Sequence, residues 1–340
     1  MLISSLILAG ASVAAASGGR WQGKNAKFDT IVTFGDSYTD NGRLGYYINN
    51  GGKAPAPGTL HGESTTTSTG GLNWAQLVAR NAGAKLVDYA VSGATCSNKI
   101  ISRYFSAINR DFPSVATDEI PSFQVDVSYK SIFPNRTPDN TVYALWIGTN
   151  DLGNDAFLTD SQAPGTTITD YVDCVWSVFD SIYKTGGRRF MMLNLAPLQL
   201  SPQYAEVKNG GAVTSQFWPE KSRYNVTEYS YKMKEYTTNV NTMFEYGMPF
   251  QTAIKSRWPK ASFDVLDVHA LMTDIYNQPS KYLDAPYNVT GYASAPGAPG
   301  PKSGYMWYDE LHPSEKTDTV IAKAFIDAIT GTSAFGTHYE

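Results

Sequence analysis

Short apolar runs rich in β-branched and aromatic residues alternate along this chain with longer segments whose apolar positions recur at helical spacing. The short runs fall at 31–34, 85–91, 141–147, 190–195 and 262–268. Each is only a few residues long and is bounded by Gly, Pro or polar turn residues, the mark of a strand buried on both faces. Helical spacing appears at 72–80, at 171–183 up to the stop Gly186-Gly187, and at Tyr229, Met233, Tyr236, Val240 and Phe244. A last helix is predicted over 314–329, with Pro313 near its first turn. Strands alternating with helices predict a parallel sheet covered on both faces, the α/β class. Three long connections, 49–70, 196–223 and 286–304, are read as rim and lid around a site.

Composition narrows this picture. With 42% hydrophobic and 17% charged residues in 340, the chain has material for a large core, and α/β chains of this length often remain one domain. The expected domain is 17–340. The segment 1–16 is expected to be a signal peptide: Leu2 to Ala16 is uncharged, Ala14-Ala15-Ala16 fits a small-residue cleavage site, and the stretch is too short to span a bilayer. Its n-region lacks Lys or Arg. No second apolar run is long enough to cross a membrane, so a secreted, extracellular protein without stable membrane insertion is expected. A net charge of −4, with no basic run longer than Arg188-Arg189, excludes the phosphate-tracking surface of a nucleic-acid binder. Cys96 and Cys174 form one disulfide or remain two buried thiols. Asn135, Asn225 and Asn288 each open an Asn-x-Thr sequon, a candidate N-glycosylation site.

Ligands of parallel sheets gather at the carboxyl ends of the strands. Three segments with chemical potential directly follow predicted strands: Gly35-Asp36-Ser37, Ser92-Gly93 and Gly148-Thr149-Asn150-Asp151. A serine at such a turn can present its hydroxyl to the cleft. The Gly93 N–H and the Asn150 side-chain amide can both donate to a substrate carbonyl oxygen, the makings of an oxyanion hole. A serine nucleophile needs a base and a group to orient it. Among four histidines, His338 lies near the chain end and is expected to fray, while His61 sits in a Gly/Thr-rich loop. Two carboxylate–histidine pairs stay open, Asp309 with His312 and Asp267 with His269. Motif shape favours the first. His-Glu-x-x-His and the Gly-x-Ser-x-Gly elbow are both absent from the sequence, so neither a metal site nor an α/β-hydrolase elbow is expected.

These motifs together resemble the GDSL, or SGNH, hydrolase family. Its first block matches Gly35-Asp36-Ser37 with Asp40-Asn41-Gly42, its second Gly93, its third Gly148, Asn150 and Asp151, and its last Asp309, His312 and Pro313. The blocks occur in the family's order across positions 35 to 313. The resemblance implies a flavodoxin-like three-layer α/β/α sandwich with about five parallel strands. It also implies Ser37 as nucleophile, His312 as base and Asp309 as its orienter, with the Ser37 N–H, Gly93 N–H and Asn150 side chain as oxyanion hole. No cofactor is implied. Tyr38 departs from the family's name-giving Leu. The chain is similar to the fungal-type acetylesterases of carbohydrate esterase family sixteen, with GDSL lipases and acylhydrolases as the rival and a non-catalytic carbohydrate-binding protein as a further alternative. The expected partner is a small-molecule or polysaccharide ester, acted on by a monomer. Trp218, Tyr224, Tyr292, Trp307 and Tyr308 are candidate sugar-stacking aromatics, or simply packing.

Overall fold

The computed structural model describes residues 27–340, so the expected signal segment 1–16 lies outside the described residues. Its central sheet is built from β1 (Thr30–Gly35), β2 (Lys85–Asp88), β3 (Thr141–Trp146), β4 (Arg189–Leu193), β5 (Ser262–Leu266) and β6 (Gly336–Tyr339). The spatial order is β6-β5-β4-β3-β1-β2. All pairings are parallel except that of β6 with β5, which is antiparallel. The five parallel strands were expected; the sixth was not. His338, expected to fray, instead lies in β6 opposite Asp264. The strand escapes a hydrophobic scan because Gly-Thr-His-Tyr has no apolar run, and its pairing rests on the backbone ladder.

Every residue of β3 is buried, as a central strand covered on both faces requires. Its side chains alternate between two aromatic layers. Tyr143 meets Phe123 and Phe190, while Trp146 meets Tyr38 and Trp74. The helices follow from the same logic. In α2 (Ile168–Lys184), Tyr171, Val172, Val175, Trp176, Phe179 and Ile182 recur three or four residues apart and are buried, and Thr167 with Asp170 forms its capping box. Helix α1 (Trp74–Ala82) starts at a capping box of Asn73 and Gln76. It packs on α5 (Glu315–Ile329), where the Asp318 carboxylate accepts the Trp74 N–H at 3.1 Å. Between them in sequence run α3 (Val226–Pro249) and α4 (Val268–Asn277).

Cys96 and Cys174 are bonded, which settles the open alternative and ties the chain after β2 to α2 across 78 residues. In the chain-entropy account, closing a loop of that size stabilises the fold by about 4 kcal/mol.

The strand order 2-1-3-4-5 is that of flavodoxin-like sheets, which reverse direction between β1 and β3. The crevice outside the carboxyl ends of those two strands is where such folds hold ligands. The segments following β1, β2 and β3 are the three that the sequence marks for chemistry.

Candidate active site

The turn after β1 is fixed by its own residues. Gly35 has φ 145°, and a Cβ there would lie 2.1 Å from the Trp146 carbonyl oxygen, so only glycine lets β1 end this close to β3. The Asp36 carboxylate accepts the Tyr38 N–H at 3.0 Å, closing a tight turn that leaves Ser37 at its apex. Burial raises the Asp36 pKa to about 6. Asp40 accepts the Gly42 and Arg43 N–H groups on one oxygen and both donors of Ser92 on the other. The nucleophile block is thereby tied to the segment that carries Gly93.

The histidine arrives from the loop before α5. The Asp309 carboxylate accepts the Leu311 and His312 N–H groups at 2.9 and 2.8 Å, and the same group lies 2.8 Å from His312 Nδ1. That acceptor assigns the ring proton to Nδ1 and leaves Nε2 free to accept from the Ser37 hydroxyl, 2.8 Å away. Both ring nitrogens are thus engaged, and all three side chains are buried. The structure brings together Ser37, His312 and Asp309, although Ser37 and His312 are 275 positions apart in sequence. The rival pair does not form. The Asp267 carboxylate caps α4 through the Ala270 N–H and accepts from Asn194, with no bond to the His269 ring.

Gly93 and Asn150 face the same cleft. Neither the Ser37 N–H nor the Gly93 N–H has an acceptor among the described residues. The Asn150 amide donates to the Ala94 carbonyl at 2.9 Å, which leaves its second N–H for a ligand. Gly93 has φ 84°, and a Cβ there would run into the Phe112 ring at 2.5 Å. The Asp151 carboxylate accepts the Cys96 N–H at 2.9 Å and so pins this loop beside the third block; burial raises its pKa to about 7. A cavity of about 400 Å³ opens here, lined by Ser37, Gly93, Asn150 and His312.

Other lining residues carry no motif and were not foreseen. The 196–223 loop supplies Gln203, Tyr204, Gln216 and Phe217, as its reading as a rim predicts. Its ring Phe217 lies edge-on to His312 at 5.1 Å. It is locked down by polar contacts: Gln203 donates to Asn154 at 3.0 Å, and Gln216 donates to Glu310 at 3.0 Å. Arg103 also lines the cavity, donating to Asn150 Oδ1 at 2.8 Å and to the Gly93 carbonyl at 3.3 Å. Nothing in the sequence marked Arg103, which two aromatics of the cavity, Phe105 and Phe112, follow in the chain. Tyr38, the departure from the family's Leu, donates its hydroxyl to the Leu311 carbonyl at 2.8 Å and sets its ring edge-on to His312.

Several expectations are corrected. The 286–304 loop contributes no side chain to this cavity; part of it, Asn288–Tyr292, pairs with Tyr305–Trp307 instead. Trp218, Tyr224, Tyr292, Trp307 and Tyr308 do not line the cavity either. Trp218 packs on Tyr204, Tyr224 and Tyr229, and Trp307 is fully buried. Cavity aromatics come from Phe105, Phe112, Tyr204 and Phe217. Among the sequon residues, Asn135 and Asn225 are exposed and Asn288 is half-buried.

Asp40, His61 and Asp88 bring potential metal-ligating atoms within 4.8 Å of one another. The two carboxylates are already engaged by hydrogen-bond donors, whereas His61 Nδ1 has no partner among the described residues. Asp88 accepts from Thr33, Asn41 and Ala90, Asp40 from the donors above, and His61 Nε2 faces Asn41 Oδ1 at 2.6 Å. Burial also lowers the His61 pKa to about 4. The trio reads as a hydrogen-bonded brace under the site.

Comparison with known proteins agrees with the motifs. Residues 31–325 match the family described as GDSL-like Lipase/Acylhydrolase. An acetylesterase from Hypocrea jecorina is 49% identical over 321 residues, covering 92% of each chain. An acetylesterase from Thermothelomyces thermophilus is 23% identical over 313 residues, covering 88% of each. Among solved structures, an acetylxylan esterase from Geobacillus stearothermophilus aligns over 89% of this chain and 94% of its own, with 14% identity and a TM-score of 0.35. The chain belongs to the GDSL-like lipase/acylhydrolase family. It is a carboxylic ester hydrolase.

Proposed function

We propose that this enzyme removes short acyl groups, acetyl above all, from carbohydrate esters through an acyl-enzyme on Ser37. The observation that carries the reading is the unbroken hydrogen-bond chain from Ser37 Oγ through the His312 ring to Asp309, opening onto a cavity with two N–H groups that have no acceptor among the described residues. His312 Nε2 takes the Ser37 proton as Oγ attacks the ester carbonyl carbon. Asp309 orients the ring and stabilises the imidazolium. The tetrahedral oxyanion is held by the Ser37 N–H, the Gly93 N–H and the Asn150 amide. The C–O bond to the alcohol then breaks, and the alcohol leaves with the proton from Nε2. Water repeats the sequence on the acyl-enzyme, activated by the same ring, and the acid departs.

The acetyl assignment draws support from the 49% identical relative, which bears the name acetylesterase. Carbohydrate as the alcohol is supported by Gln216 on the cavity wall, whose Nε2 bonds Glu310 and whose amide oxygen is left to accept from a hydroxyl group. The Cys96–Cys174 bond supports export to an oxidising compartment, and glycans on Asn135, Asn225 and Asn288 would accord with that route.

Hydrolysis of nitrophenyl acetate, butyrate and decanoate by the wild type and by Ser37→Ala tests this reading. Acetate should turn over fastest, and the variant should lose about 10⁴-fold or more. Preference for decanoate would make the enzyme a lipase, and full activity in Ser37→Ala would remove the nucleophile.

A further inference from the structure

We propose that Arg103 is a positioning residue of the oxyanion hole, holding the Asn150 amide so that its second N–H meets the acyl oxygen. The inference rests on the reading of Ser37, Gly93 and Asn150 given above and adds a component that lies outside the family's four blocks.

A side-chain amide can rotate by half a turn and exchange its donor for its acceptor. At Asn150 both orientations are contested by neighbours. The Ala94 carbonyl takes an N–H on one side at 2.9 Å, and the Arg103 guanidinium donates to the oxygen on the other at 2.8 Å. Reversal would set an amide N–H against a guanidinium N–H and an amide oxygen against a carbonyl oxygen. Without Arg103 the oxygen side has no partner among the described residues, and one hydrogen bond alone fixes the orientation. The same guanidinium nitrogen reaches the Gly93 carbonyl at 3.3 Å, so one group spans two segments that supply oxyanion donors.

Arg103 is itself held in place. It precedes the hairpin of Tyr104–Phe105 with Arg110–Asp111, and its carbonyl accepts the Phe112 N–H at 2.9 Å. The guanidinium lies 5.3 Å from the centre of the Phe112 ring, which stacks on Phe105 at 4.4 Å with planes 9° apart. The stack fixes the long side chain at little entropic cost. Among the described residues Arg103 makes no ion pair, and the Asp155, Asp151 and Asp36 carboxylates act on its charge only from farther away. A charged donor on Oδ1 polarises the amide and strengthens its N–H as a donor.

The experiment measures kcat and KM for nitrophenyl acetate in Arg103→Met and Arg103→Lys, each alone and in an Asn150→Ala background. Fluorophosphonate titration normalises every rate to competent Ser37. Arg103→Met should lower kcat about 10- to 100-fold with KM changed less than about threefold, and Arg103→Lys should recover part of the loss. In the Asn150→Ala background the same substitution should cost less than about threefold, because its route to the reaction is gone. If Arg103→Met does not fold, Arg103→Lys in both backgrounds decides alone. Equal losses in the two backgrounds, a change in KM only, or an unchanged kcat would each overturn the proposal. Ser37→Ala run beside them separates the two levels: activity surviving there defeats the whole site, whereas its loss with Arg103 variants unaffected defeats this inference alone.

Discussion

Two histidines in this molecule sit 2.8 Å from a carboxylate through Nδ1, yet only one is placed to act on a substrate. His312 lies beyond the carboxyl ends of the strands with Ser37 on its other nitrogen. His338 lies within the edge strand β6, opposite Asp264 in the register, and its other nitrogen faces the Glu340 carboxylate at 3.3 Å. Burial works to lower the His338 pKa, but the Asp264 and Glu340 carboxylates outweigh it and hold the ring above its ordinary value. An imidazole between two carboxylates is stabilised as the cation and has no lone pair to offer. The difference teaches that a nearby carboxylate does not mark a base. What the far nitrogen faces decides between a proton acceptor and an ion pair.

The largest effect that could break this contrast is a paired deletion. His312→Ala should lower kcat for nitrophenyl acetate about 10⁴-fold or more, and Asp309→Asn by a comparable factor, since each removes part of a unit that acts together. His338→Ala and Asp264→Asn should stay within about twofold of the wild type, because a substitution remote from the chemistry leaves the transition state untouched. A folded His338→Ala protein with a loss comparable to His312→Ala would erase the distinction.

The sequence exposed the catalytic pair and concealed the edge pair for one physical reason. Strand ends with Gly-Asp-Ser and Gly-x-Asn-Asp are short-range patterns, because each turn is built from its own backbone and nearest side chains. The Asp309 carboxylate caps its own loop and meets the ring three residues on, so that motif is local too. His338 and Asp264 meet only through a strand pairing 74 residues apart, which no local pattern reports. Arg103 was invisible for the same reason: its partner Asn150 is 47 residues away. Strand ends were legible to within two or three residues. The stretch predicted over 85–91 ends as a strand at Asp88, though the Tyr89 and Val91 N–H groups still follow β1 at 2.9 and 3.1 Å. The stretch predicted over 262–268 stops at Leu266 because Asp267 turns to cap α4.

A subtler probe asks what holds the His312 ring at its angle. Tyr38 spans the gap between the nucleophile turn and the histidine loop with one hydrogen bond to the Leu311 carbonyl. Tyr38→Phe keeps the ring that touches Trp146 and His312 and removes only the hydroxyl. A buried carbonyl left without its donor costs about 1–3 kcal/mol, which should lower the melting temperature by a few degrees. The catalytic loss should be about fivefold in kcat, with KM nearly constant, if the bond sets the ring for proton transfer. A lower melting temperature with unchanged kcat would make Tyr38 a brace for the fold alone and leave the His312 geometry to Asp309.

The smallest effect belongs to the edge pair and should appear in stability, not in rate. A histidine whose folded pKa is raised stabilises the fold fully below its unfolded value, about 6.5. That contribution disappears as pH rises through the folded value, because the ring then gives up the proton that its carboxylates favour. His338 is partly open to solvent, so screening keeps the effect small. Urea unfolding of the wild type and His338→Gln at about pH 5.5 and about pH 8.5, on either side of the ordinary histidine range, reads it out. The wild type should be the more stable of the two at the lower pH and should lose more of its stability than the variant on going to the higher one. Parallel losses in both proteins would mean that the ring does not carry the proton in the folded state. His338 would then resemble His312 in charge as well as in spacing, and the contrast would rest on Ser37 alone.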